Sequence, residues 1–219
     1  MNGLYVFALT GEACAPFESA GHAVRFVRSG DVYAAVERAV RAPSVSEPAL
    51  RRQHEVIAAL GARVNAVLPA RFGTFLAAPE LEAIVGRRRD VIKEALQLVQ
   101  GRRQMTIRLL GSELAAEVGQ PRGPAGEQSG TAYIEARRQR SARPQTLAAV
   151  ADAVREMVVA ERFEAGPGRT IAMLYHLIQA DGVEAYRDLL APLQARREQG
   201  TLTVTGPWAP FAFAPDLWT

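Results

Sequence analysis

Few residues in this chain have types and spacings that suit chemistry. Cys14 is the only cysteine, so no internal disulfide can form. A reactive thiol needs electropositive surroundings and a basic partner, and no histidine stands near Cys14 in sequence, so it reads as a small passive residue. His22 and His176 are isolated, and no two histidines share the helical spacing of a zinc site. His54 falls four residues after Leu50 and three before Ile57, which puts it on an apolar helix face and reads as a packed histidine bonded to a neighbour. A second reading makes His54, Glu55 and Arg71 the polar groups of a small-molecule enzyme, and it requires one pocket joining them.

Phosphate chemistry has less support. The run Gly119 to Gly126 is rich in glycine and proline, but it lacks the lysine of a phosphate loop, and its prolines remove the amides a phosphate needs. Arg87-Arg88-Arg89 shares its helix with Glu82, Asp90 and Glu94, so it reads as a solvated face with Arg88 snorkelling. No catalytic, cofactor-binding or metal-binding residues are expected, and the chain is expected not to be an enzyme.

Charge points to no particular partner. The formal net charge is +3, and all basic residues but Lys93 are arginine, a skew that reflects a GC-rich coding sequence. Arginine and glutamate alternate along the chain, whereas a nucleic-acid binder concentrates its cations on one face. A third reading, nucleic-acid binding through Arg137, Arg138, Arg140 and Arg143, predicts strongly salt-dependent affinity, and no nucleic-acid motif supports it. No apolar run approaches the ~20 residues of a membrane helix. The opening MNGLYVFALT lacks a basic signal-peptide start and reads as a strand. A cytoplasmic location is expected, with no membrane and no nucleic acid as partner.

The elements that would position these residues follow from periodicity. Leu4 to Leu9 and His22 to Arg28 read as strands, the second followed by a Ser29-Gly30-Asp31 turn. From Val32 to Arg38 the pattern fits a strand through Val32, Ala34 and Val36 or a helix through Val32, Val36, Ala39 and Val40, and the short turn favours a hairpin. Gly11 to Gly21 reads as a loop. Ser46 is the expected N-cap of a helix whose apolar face carries Leu50, Ile57, Leu60 and Val64. Val67 to Leu76 reads as one strand, with Pro69 near its start and a bulge or close approach at Gly73. Pro79 opens one helix that runs to Gly101, and Met105 to Leu110 is a strand. A long helical pattern from Thr131 to about Ala165, with Arg143-Pro144 as a site for a kink or break and Gly166-Pro-Gly168 as its end, is followed by a strand at Ile171 to Ile178. A helix at Val183 to Glu198 and a strand at Leu202 to Thr205 complete the order. The fold class expected is α+β in two domains, 1–111 and 131–219, joined by a linker at 112–130. Each would be a small, mostly antiparallel sheet packed with helices, the C-terminal one ferredoxin-like.

Three stretches then carry a resemblance: LRRQHEVIAALGARVNAVLPARFGT (Leu50 to Thr74), SGTAYIEARR (Ser129 to Arg138) and VTGPWAPFAF (Val204 to Phe213). With the opening LYVFAL, they resemble the gas vesicle accessory proteins GvpL and GvpF over nearly the whole chain. The resemblance implies a non-enzymatic factor in building gas vesicles, the gas-filled protein compartments that give cells buoyancy. It also implies contacts with the hydrophobic shell protein GvpA and with other Gvp proteins. Its motif residues here are Pro69, Arg71, Phe72 and Gly73, then Gly206, Pro207, Trp208, Phe211 and Phe213, expected to bind a partner or hold structure. Gln104 stands where the family usually has glutamate. The aromatic segment is expected to cap the second half or to anchor a partner. Arg71 is expected to tie the two halves through a carboxylate or to touch a partner.

Overall fold

The computed structural model describes residues 3–111, 145–166, 170–195 and 201–218. The chain forms two compact units, Met1–Gln104 with Trp208–Thr219, and Met105–Pro207. The C-terminal aromatic residues therefore lie in the first unit, although they follow the second in sequence.

The first unit is built around β1 (Gly3–Thr10), whose eight positions are all buried. Its other strands are β2 (Phe17–Ser19), β3 (His22–Ser29), β4 (Val32–Ala39), β5 (Val67–Pro69) and β6 (Phe75–Leu76). The sheet order is β2-β3-β4-β1-β5, with β6 also on β1, and the β1, β2 and β3 ladders are antiparallel. The β3–β4 hairpin forms as its turn residues predict, with Ser29 opposite Val32. The short β2 lies inside the stretch read as a loop, and Phe17 pairs with Val24.

Helix α1 (Glu47–Gly61) starts at Ser46, whose hydroxyl accepts the Ala49 N–H at 3.3 Å. Its buried residues are Ala49, Gln53, Val56, Ile57 and Leu60, a stripe of helical period that packs on Tyr5, Phe7 and Ala8 of β1. Leu50 is not on that stripe, because the buried face is turned by about one residue toward Ala49 and Gln53, and Leu50 is left 45% exposed. The single helix expected between Pro79 and Gly101 is two, α2 (Ala78–Arg87) and α3 (Arg89–Val99). Arg88 leaves the helical region, at φ −110° and ψ 17°, while the buried stripe continues across the break through Leu81, Val85, Ile92, Leu96 and Val99.

The second unit runs β7 (Arg102–Leu110), α4 (Gln145–Ala153), β8 (Val158–Ala165), β9 (Thr170–Gln179), α5 (Val183–Gln194) and β10 (Thr201–Trp208), with β7 beginning and β10 ending in the first unit. The sheet order is β10-β7-β9-β8. Met105, Ile107 and Leu109 of β7 meet Leu147 and Val150 of α4, and Leu174 and Ile178 of β9 meet Tyr186 and Leu190 of α5 in one core. Both sheets thus pack with helices in an α+β fold. The long helix expected to reach Ala165 ends at Ala153, since VVAERFEA is a strand paired antiparallel with β9. Val158, Ala160 and Phe163 are its less exposed positions, and the register shifts between Val158 and Ala160, so the irregular spacing also tolerates a helical reading over so few residues. The linker at 112–130, the Ser129 to Arg138 stretch and the four arginines from Arg137 to Arg143 lie outside the described residues.

Candidate functional site

The stretch after α1 is interrupted by a short excursion. Ala70 donates its N–H to Phe7 at 2.8 Å, and Val6 donates to Thr74 at 2.9 Å, so three residues, Arg71, Phe72 and Gly73, loop out between adjacent β1 positions. The loop is closed from inside by Thr74, whose hydroxyl and N–H both donate to the Arg71 carbonyl, at 2.8 and 3.2 Å. Gly73 sits at φ +85°, where a side chain is strained. The excursion interrupts what sequence reading took as a single strand, and Pro69 is the last residue of β5.

Beneath the excursion lies a buried polar set. The Tyr5 hydroxyl donates to Gln53 Oε1, Gln53 Nε2 donates to the Ala70 carbonyl at 3.2 Å, and the Gly73 N–H reaches the Tyr5 oxygen at 3.5 Å. Burial pushes the Tyr5 phenol above its ordinary pKa. Phe72 meets the Tyr5 ring edge-on, at 6.5 Å between centroids.

The excursion and the C-terminal segment share an ion pair. Arg71 Nη2 lies 2.9 Å from Asp216 Oδ2, both largely exposed and both in the first unit, so the carboxylate partner of Arg71 is within its own unit. Such a pair contributes little stability by itself, roughly 0–1 kcal/mol. The segment is fixed further by Gln104, a buried side chain whose Oε1 accepts the Ala212 N–H at 2.7 Å. A turn at Phe211–Phe213 follows, with the Phe213 and Ala214 N–H groups donating to the Pro210 carbonyl.

This turn splits the aromatic residues between two roles. Phe213 and Leu217 are each 5% exposed and belong to the first unit's interior, whereas Trp208 and Phe211 remain 37% and 38% exposed. Those two hold His54 between them: Trp208 meets its ring edge-on at 5.0 Å, and Phe211 stacks on it at 5.7 Å and 14°. Ring packing thus replaces the hydrogen bond expected for His54. Leu50, one turn back on α1, is on the same side, so Leu50, His54, Trp208 and Phe211 form a half-exposed apolar patch. The sequence reading missed Leu50 and His54 as members, and Asp216 and Gln104 as supports. Gly206 and Pro207 precede the patch in β10 as the end of the second unit. Gly206 sits at φ +123° and its carbonyl accepts from Arg187.

The remaining chemical candidates have local partners. His22 Nδ1 is 2.6 Å from Glu37 Oε2. A cleft of about 780 Å³ in the first unit is lined in part by Glu12, Asp31, Arg89 and Lys93, and by none of His54, Glu55 and Arg71. Glu55 is exposed. The enzyme alternative asked for a pocket joining those three; His54 is occupied by two aromatic rings and Arg71 by Asp216 instead. Among the described residues no group of three or more histidine, cysteine or acidic side chains is placed to hold a metal. No helix among them is long and apolar enough to cross a membrane.

The sequence matches the family described as Gas vesicle synthesis protein GvpL/GvpF over residues 3–215. The chain belongs to the GvpL/GvpF family. Its fold is similar to that of the gas vesicle protein GvpF from Anabaena, with a TM-score of 0.75 at 14% identity, covering 99% of both chains. The GvpF protein from Microcystis aeruginosa is similar too, with a TM-score of 0.76 at 15% identity, over 97% of this chain and 99% of that one. Among curated proteins none matches this sequence. As a GvpL/GvpF family member the chain has a gas vesicle accessory role, and the patch around His54 lies within the span that the family shares.

Proposed function

We propose that this protein is a non-enzymatic assembly factor, acting in the cytoplasm and at the gas vesicle, that binds the shell protein GvpA and other Gvp proteins. A strongly apolar shell protein has to be kept from aggregating before it joins the wall, and a binding partner that covers apolar surface does this. The half-exposed patch of Leu50, His54, Trp208 and Phe211 supports the reading, because partly exposed aromatic anchors on a rigid base are what binding hot spots are made of. The motif residues from Pro69 to Gly73 act in this reading as supports, with Arg71 setting the C-terminal segment through Asp216. In the same reading the second unit, from its β-α-β-β-α-β order, is a ferredoxin-like scaffold.

The test is a pull-down of co-expressed GvpA and accessory proteins by the purified wild type, by Trp208→Ala and by Arg71→Ala, each first shown to be folded. Capture by the wild type that drops about tenfold or more with Trp208→Ala, a loss typical of a hot-spot aromatic, supports the reading. The smaller effect belongs to Arg71→Ala, since its ion pair is exposed. A folded wild type that captures none of these proteins overturns the proposal.

A further inference from the structure

The edge of a sheet presents unpaired N–H and C=O groups with which another strand can pair, and folds guard such edges. In the first sheet the end strands β2 and β5 have three residues each, and β6 has two. In the second sheet β10 carries Pro207, which has no N–H to offer, after Gly206 at φ +123°. The opposite end strand, β8, has neither protection. It is eight residues long, contains no proline or lysine, and has β9 as its one strand neighbour among the described residues. Its bulge falls at the beginning, where the register shifts between Val158 and Ala160, and from Ala160 to Ala165 the pairing with β9 is regular. Val159, Glu161, Arg162, Glu164 and Ala165 are exposed.

Charge is the remaining guard, and its order on β8 admits one partner. A row of like charge repels a strand's own copy, but here the order is Glu161-Arg162-Phe163-Glu164. In an antiparallel pair centred on Phe163, Arg162 of each copy stands opposite Glu164 of the other, twice by symmetry, and Phe163 stands opposite itself. Arg162 and Glu164 share a sheet face with Tyr175, whose hydroxyl donates to Glu164 Oε2 at 3.1 Å. Phe163 points to the other face and packs against the second unit's core, so paired rings continue that core across the two-fold axis. Registers one residue away lose the match: one sets Glu161 against Glu164, and the other sets Phe163 against Glu164. A register joining Glu161 to Arg162 is complementary too, but it runs across the bulge, and Glu161 already lies 2.9 Å from His176 Nε2.

We propose that β8 pairs antiparallel with β8 of a second copy of this chain, centred on Phe163, joining two four-stranded sheets edge to edge. The backbone edges supply the attraction, and the crossed Arg162 and Glu164 pairs set the register. No Gvp partner enters this pairing, so it stands or falls apart from the assembly reading above.

The test is sedimentation velocity of the full chain over a dilution series, with folding of each variant checked by circular dichroism. The wild type is expected to dimerise as concentration rises. Arg162→Glu and Glu164→Arg each set like charges opposite one another twice, and each raises the dimer Kd tenfold or more. Both positions are exposed, so neither change reaches the core. An equimolar mixture of the two variants recreates both opposite-charge pairs in the mixed dimer and sediments close to the wild type. A wild type that stays monomeric throughout, a dimer that neither variant weakens, or a mixture no better than its components overturns the inference. Weakening by Arg162→Glu with Glu164→Arg silent overturns it as well, because that result belongs to the register joining Glu161 to Arg162.

Discussion

His54 and His176 are the same residue in opposite settings. His176 is fully buried on β9, where its Nδ1 is 2.8 Å from the Tyr186 hydroxyl and its Nε2 is 2.9 Å from Glu161 Oε2. Strand, neighbouring strand and helix thus meet at one imidazole, with both ring nitrogens satisfied as burial demands. His54 is half-exposed and held by two aromatic rings with no hydrogen bond to the described residues. The first arrangement specifies a core; the second keeps an apolar surface in a fixed shape. A polar residue type therefore says little about role until its partners are known.

Removing His176 is the most damaging way to break this comparison. His176→Ala leaves a cavity and deprives both the Tyr186 hydroxyl and Glu161 of a partner, so a loss of about 2–4 kcal/mol is expected in urea denaturation. A loss under about 1 kcal/mol would mean that the three-residue chain is not a structural pin.

Alkaline pH sharpens the same contrast. Burial, then the nearby Glu161 carboxylate, raises the Tyr186 phenol well above the ordinary 10.0, and burial with the Glu164 carboxylate pushes Tyr175 up to about 12. Above pH 10 the unfolded chain gives up these protons while the folded one keeps them. The contribution is therefore complete below pH 10 and is lost as pH rises through 12 and beyond. Urea midpoints at pH 8, 10 and 11 are expected to fall in that order. Tyr186→Phe flattens the slope and His54→Ala does not; equal slopes in all three proteins would contradict the assignment.

The smallest effect on stability is expected at His54. His54→Ala loses two ring contacts at a half-exposed position, about 1 kcal/mol or less by thermal melting. Capture of Gvp partners should fall all the same, because Trp208 and Phe211 lose the ring that spaces them. Full capture with the rings unspaced would leave His54 as packing alone.

Much of this was legible because it is local. The Ser46 cap, the Ser29 to Asp31 turn and the period of α1 depend on neighbours within a few residues, and each signals itself. The run Leu4 to Leu9 reads as a strand for the same reason, but that it is the central one follows only from its pairing with β4, β5 and β6. The strand β8 was hidden because eight residues of mixed pattern suit either period, and only pairing with β9 decides. The exposure of Leu50 was hidden because α1 rolls by one position, placing Gln53 inward to bond Ala70 and accept from Tyr5.

The sequence by itself determined the α+β class, the turn at Ser29 to Asp31, the Ser46 cap and, through motifs spread from Leu50 to Phe213, the GvpL/GvpF family. Local backbone preferences and side-chain order are enough for these. Tertiary structure alone decided that Arg71 pairs with Asp216, that Gln104 holds Ala212, and that Trp208 and Phe211 close on His54. Each joins residues more than a hundred positions apart, and no spacing rule reaches across a chain that leaves one unit through β7 and returns through β10.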